Sequence, residues 1–329
     1  GGGGIFNAGG TLDIENTTIT ANTADTNAGN GGGVMTVGGT VTIDRGAISG
    51  NTAARAGGGV ENNGGSVTLT NVALGGTAVA DGNTADINGG GLHVSGAATT
   101  EIFGGSVSNN VASQEGGGLW NSASGTMTIS ASGSGGTVID SNIANGDDAA
   151  TVQGGGGIFN VGGSLEISDA TISNNVSTAT LAGNGGGGIV IEGGTNNTIT
   201  DTTITGNTAT EAGGSADGGG ILVANGATLD VFGGQISANS ASRAGGGIEN
   251  NASEVNLFDV RLGGSTSAEG NIAGANGGGL HASGSSTTTI SGGGVSNNVA
   301  GQEGGGLWNA SGSMNIDGTM ISANVANAE

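Results

Sequence analysis

The 329 residues include two histidines, His93 and His281, and two tryptophans, Trp120 and Trp308. Each His closes a "GGGLH" and each Trp sits in a "GGGLWN", so the four make two matching pairs rather than one cluster. An imidazole can relay protons or ligate a metal, but six stacked coils would hold the two histidines about 29 Å apart. They cannot share a metal, and a surface role beside Trp is expected rather than catalysis. Asp147 and Asp148, in "NGDDAATVQ", offer the hard oxygens that Ca2+ takes. Their spacing fits neither an EF-hand nor the GGxGxDxUx nonapeptide. A solvated acidic loop is the simpler reading, with Ca2+ the alternative and no other cofactor implied. The acids Asp13, Asp44, Glu166, Asp230 and Asp317 are spread along the chain. Cleaving a polysaccharide requires paired carboxylates at fixed separation, or a base beside bound Ca2+. No such constellation is visible, so a lyase or hydrolase is the lesser alternative to a non-enzymatic protein.

Composition narrows the partners. Net charge is −22 and the cations other than His are four arginines, Arg45, Arg55, Arg243 and Arg261. Nucleic acid and anionic lipid would be repelled. No apolar run approaches membrane-spanning length. Cysteine is absent, which excludes disulfides and cysteine-ligated zinc. Glycine supplies 78 residues, proline none and aromatics 2%, yet Ile, Val and Leu recur in fixed relation to the glycines, which argues against disorder.

The elements that must position these residues follow from that regularity. Cutting before each glycine run yields eleven segments, beginning at Gly1, Gly31, Gly57, Gly89, Gly116, Gly154, Gly185, Gly218, Gly245, Gly277 and Gly304. Such a period marks a solenoid or propeller. Each segment carries three strand-like pieces: an aliphatic residue after the glycines (Ile5-Phe6-Asn7), an alternating piece (Leu12-Asp13-Ile14), and an aliphatic residue before Ser or Thr (Ile19-Thr20). One Asn per segment then recurs at an equivalent place: Asn22, Asn51, Asn83, Asn110, Asn142, Asn175, Asn207, Asn239, Asn271, Asn298 and Asn324. These predict a stacked Asn ladder at a turn, each amide bonding to the copies above and below in a left-handed backbone conformation. The fold expected is all-β, a right-handed parallel β-helix of about eleven coils with three short strands per coil. It is one body over residues 1–329, about 50 Å long at the strand spacing.

The glycine motif GGG[ILV], with "IFN" and "LWN" following it, resembles the GGA[ILV] and FxxN repeats of polymorphic outer-membrane and adhesin-like proteins, right-handed parallel β-helices of microbial surfaces. The aromatic stands directly before Asn here, which departs from FxxN spacing. The resemblance implies an extracellular or cell-surface location and an adhesin-like role.

A longer period overlies the short one. Segments at Gly31, Gly57, Gly89 and Gly116 reappear at Gly218, Gly245, Gly277 and Gly304, giving a five-coil block (1–153) and a six-coil block (154–329). Joining Glu329 to Gly1 would preserve both periods, so end-to-end self-association or a longer covalent array is expected. The outward position of the first strand forms an apolar stripe through Phe6, Met35, Glu61, His93, Trp120, Phe159, Val190, Leu222, Glu249, His281 and Trp308. It should pack against a covering segment, a neighbour or sugar rings. Among the N-x-S/T sequons, Asn16 and Asn196 are the open candidates for glycosylation. "TTIT" at 17–20 and 202–205 hints at an ice-binding threonine array, but intervening coils break it. The function expected is a stalk, adhesin shaft or filament subunit, with glycan binding the main alternative.

Overall fold

The computed structural model describes residues 1–25, 28–146, 153–178, 185–211 and 213–327. The chain winds through eleven coils as a parallel β-helix. Its first strands, Ile5–Asn7 through Leu307–Asn309, form one 11-stranded sheet in chain order, and its last, Thr23–Ala24 through Val325–Ala326, form another. Every pairing between successive coils is parallel, as in Ile5↔Val34, Val34↔Val60 and Val60↔Leu92.

The middle strand bends. In the first three coils it runs unbroken over Thr11–Thr20, Thr40–Ser49 and Ser66–Gly75. From the fourth coil it divides, as at Thr99–Phe103 and Ser106–Ser108. The bend falls at one residue with left-handed backbone, a column that includes Asn16, Asn71, Asp201 and Asp259 at φ 44–55°. Asn and Asp tolerate this conformation because their short side chains bond locally.

The Asn ladder is continuous across all ten junctions. Its geometry differs from the sequence expectation. The left-handed residue is the one before the Asn, as at Ala21, Asn109, Ser141, Asn174 and Ala238. That turn drives the Asn side chain inward, where Asn110 and Asn142 are fully buried. Asn110 donates from both its backbone N (3.0 Å) and its Nδ2 (2.9 Å) to Asn142 Oδ1. Its Nδ2 also donates to Leu74 O in the preceding coil (3.0 Å). Its own Oδ1 receives both donors of Asn83. No polar atom of the rung is wasted, which burial demands.

Each glycine of a run has a separate cause, seen at Gly89 and Gly90. Gly89 takes φ +64°, which L side chains resist. A Cβ on Gly90 would lie 2.4 Å from both Gly117 O and Val111 O. Backbones of adjacent coils therefore meet where only hydrogen fits. Inside, aliphatic columns such as Val41, Ile43, Ile48, Ile129, Ile139 and Ile167 form one fully buried core, each side chain contributing ~1.5–3 kcal/mol.

Replacing a mid-ladder rung, Asn142→Ala, strands the donors of Asn110 and takes one of the two donors, Nδ2, from Asn175 Oδ1 while the backbone N remains. It is expected to cost ~3 kcal/mol in chemical denaturation, whereas Asn22→Ala, on the half-exposed first rung, costs less than about 1 kcal/mol. Equal losses at the two sites would refute the ladder as a buried, cooperative device.

Candidate functional site

The first strand alternates in and out, so Leu92 and Val94 enter the core while His93 points away from it. The outward stripe is nevertheless mostly inaccessible. Met35, Glu61, His93, Phe159, Val190, Leu222, Glu249 and His281 are all buried. Only Phe6, 52% exposed, is open; Trp120 and Trp308 are half-buried. The segment just ahead of the glycine run reaches this stripe at Glu115 and Glu303, which accept from the indoles of Trp120 and Trp308. It stacks on itself through single-residue parallel bridges, among them Ala56↔Asn88, Asp217↔Ala244 and Asn276↔Glu303. Even the short connections, six residues from ladder Asn to glycine run, do this. The histidines are thus not surface groups, contrary to expectation, and the stripe cannot offer a continuous sugar platform. Phe159, Val190, Leu222 and Ala224 instead form a second small core, against which Trp120 and Val161 pack.

Two buried polar columns interrupt that core at equivalent places. Glu61, His93 and Trp120 stand on successive coils in register. His93 Nδ1 donates to Glu61 Oε2 (2.8 Å), and Ser95 Oγ donates to Glu61 Oε1 (2.6 Å). The imidazole stacks on Trp120 at 4.3 Å and 15°, and Trp120 Nε1 donates to Glu115 Oε2 (2.9 Å). The second column repeats every contact: His281 to Glu249 (2.6 Å), Ser283 to Glu249 (2.7 Å), His281 on Trp308 (4.3 Å, 7°), and Trp308 to Glu303 (3.0 Å). In both, the serine hydroxyl is turned to the carboxylate rather than to the imidazole, so neither is a nucleophile–base relay. These bonds run from one coil to the next.

The second column has an addition that sequence reasoning missed. Asp217, buried just before its glycine run, makes an ion pair with Arg243 of the next coil. Its Oδ1 is buried with no hydrogen-bond partner among the described residues. Burial, and secondarily the nearby Glu249 carboxylate, push the Asp217 carboxyl up to about 7 against the pull of Arg243. The signal was present in the long period. Its counterpart in the first block is Asn30, so this acid is not shared by the two blocks.

The other candidates lie elsewhere. Asn16 is exposed at a bend and accepts from Arg45 Nε (3.0 Å). Asn196 is exposed before the strand Asn197–Thr200. Asp147 and Asp148 fall outside the described residues. Among the described residues no three His, Cys, Asp or Glu side chains gather as a metal site, and no helix is long and apolar enough to cross a membrane.

The Asp217 carboxyl keeps its proton in the folded state up to about pH 7, while the unfolded chain releases it near 3.8. Stability therefore falls as pH rises from about 4 to about 7, each tenfold of displaced proton affinity being worth ~1.4 kcal/mol. Asp217→Asn, which installs the first block's residue type, should remove this component. The variant is expected to melt above the parent at pH values over 7, the gap closing on acidification. A gap that widens toward low pH would contradict the assignment.

Comparison with protein-family models, with curated proteins and with solved structures finds no match for this chain. The functional reading therefore rests on the geometry of the coils themselves.

Proposed function

We propose that this chain is a non-enzymatic structural protein of the cell exterior, the shaft of a stalk or adhesin or the subunit of a filament, lengthened by stacking β-helix coils end to end. One observation carries the reading. The fifth and sixth coils join a "GGGLWN" coil to a "GGGGIFN" coil, pairing Leu119↔Ile158, Trp120↔Phe159 and Asn121↔Asn160. The eleventh and first coils are of the same two types. The same register applied between them sets Trp308 on Phe6 and Asn309 on Asn7.

The two faces are complementary in polarity as well as shape. Along the ladder each Asn donates to the Oδ1 of the coil that follows, as Asn298 does to Asn324. Asn324 thus presents its backbone N to a following coil, and Asn22 presents Oδ1 to a preceding one. The terminal layers also leave apolar side chains open, with Phe6 52%, Met320 66%, Ile321 51% and Val325 46% exposed. Such a contact is head-to-tail and does not close, so it propagates. The next coil can come from another copy or from further coils of a longer polypeptide. Sugar binding along the stripe, the main alternative from sequence, loses ground because most of the stripe is buried.

Electron microscopy of the 329-residue protein at high concentration tests the reading. Filaments are expected with an axial repeat of about 50 Å, eleven coils at the strand spacing. Ile321→Lys, a charge in the terminal layer, should shorten or abolish them while leaving the melting temperature within a few degrees. Monodisperse short rods at every concentration would overturn self-assembly of this chain.

A further inference from the structure

The ninth coil carries a detour absent from its neighbours in the stack. Between Gly263 and Asn271 the chain leaves the wall in a short 3-10 turn, Ser267–Glu269, and returns. The detour is braced from within: Glu269 Oε2 accepts from Ser265 N (2.7 Å), Ser265 Oγ (2.9 Å), Thr266 N (2.9 Å) and Thr266 Oγ1 (3.2 Å). The coil above holds it down, Asn297 Nδ2 donating to Gly264 O (2.7 Å). The result is a rigid shelf projecting from the side of the rod.

A notch opens above this shelf. Its wall is the outward column Gln235, Arg261, Gly294 and Met320, paired in register from the eighth to the eleventh coil. Gly294 has no side chain, so a gap separates Arg261 from Met320. Ser265, Ser296 and Asn297 also line the notch. Arg45 pairs with Asp44 and Arg243 with Asp217, whereas Arg55 and Arg261 have no carboxylate within ion-pair distance among the described residues, and of these two Arg261 lines the notch. Gln235 spends its amide nitrogen on Gly263 O (3.1 Å), leaving its oxygen free to accept.

The first block supplies the internal control. It has the same shelf, with a 3-10 turn at Val79–Asp81 and Asn109 Nδ2 holding Gly76 O (2.6 Å). The wall above it reads Ala73, Ser106 and Val138. The shelf therefore belongs to the repeat, while the guanidinium and the gap do not. The fold is built equally well with Ala and Ser in their places.

We propose that this notch binds a saccharide bearing a single carboxylate, with Arg261 taking the carboxylate through its planar fork and the surrounding amides and hydroxyls taking sugar hydroxyls. A guanidinium free of intramolecular partners matches a carboxylate bidentately. The rest of the lining mixes the polar Gln235, Ser296 and Asn297 with apolar Leu262 and Met320, and includes Glu269, whose Oε2 is already taken by four donors; polar and apolar walls together suit the two faces of a sugar ring. It lacks the aromatic anchors that centre a protein interface. A ligand with many anionic groups is disfavoured by the net charge of −22. The notch opens on the side of the rod, with Met320 and Ser322 of the eleventh coil, the coil that end-to-end stacking would cover, at its upper edge.

Calorimetric titration of the whole chain with 3′-sialyllactose, lactose and polygalacturonate tests the proposal. Sialyllactose should bind at least about tenfold more tightly than lactose, the loss of one charged hydrogen-bonded pair being worth that much. Arg261→Ala, which restores the residue of the first block, should weaken sialyllactose by about the same factor with an unchanged melting temperature. The reciprocal change Ala73→Arg with Ser106→Gly should double the number of sites. Equal affinity for lactose and sialyllactose, tighter binding of polygalacturonate, an Arg261→Ala variant that binds as the parent does, or no heat with millimolar sialyllactose would each overturn it.

Discussion

Every coil of this molecule is bonded through its backbone to the coils on both sides, Val60 N donating to Gly91 O of the next coil and Thr84 N to Asn51 O of the one before. That in-register parallel pairing is the constraint from which the rest follows. It explains why proline, which lacks the amide hydrogen, is absent from the chain. It brings backbones together at the corner of the glycine runs, where a Cβ on Gly90 would strike Gly117 O of the next coil and Val111 O of its own. It also makes each side chain's nearest neighbours the occupants of its own position one coil up and one coil down. A residue type that bonds to itself, such as Asn, becomes a continuous internal ladder. A type that repels itself must be diluted.

One outward wall shows that dilution, whereas Glu15 and Asp44 stand opposite one another on the first two coils and Arg45 pairs with Asp44 there. One outward column reads Asp13, Thr42, Thr68, Glu101, Thr128, Glu166, Thr198, Asp230, Asn256 in register. No two acids are adjacent, and neutral hydroxyls or amides stand between them. Thr68 Oγ1 donates to Glu101 (3.2 Å) and Asn256 Nδ2 to Asp230 (2.9 Å), so the spacers also solvate the charges. Like charges directly opposite on a sheet would be destabilising. At two coils apart they are separated by ~9–10 Å, about one Debye length in physiological salt. Where the column is buried the device changes, and a Glu is followed by a His and the His by a Trp.

The same logic separates what is structural from what is spare. The buried Glu–His–Trp columns occur in both blocks with the same bonds, and those bonds run between coils, so they act as rivets. Asp217 and Arg261 have no counterpart of the same chemistry in the first block, although the backbone around each is preserved. A near-duplicate within one chain thus shows which side chains the fold uses and which it merely carries.

The sequence alone determined the period, the strand positions, the inward aliphatics and the membership of the Asn ladder, because each depends on contacts between equivalent residues of successive coils. Local repetition then reports tertiary packing directly. It did not determine which side of the stripe faced solvent. His93 and Phe159 alternate like exposed residues, and only the folded chain, with Trp120 stacked on His93 and Val190 and Leu222 packed with Phe159, decides that they are buried. Nor could spacing reveal that the residue before each ladder Asn, rather than the Asn itself, takes the left-handed turn. The charge state of Asp217 and the isolation of Arg261 likewise belong to the tertiary structure, since both depend on groups 26 or more residues away being present or absent at a few ångströms.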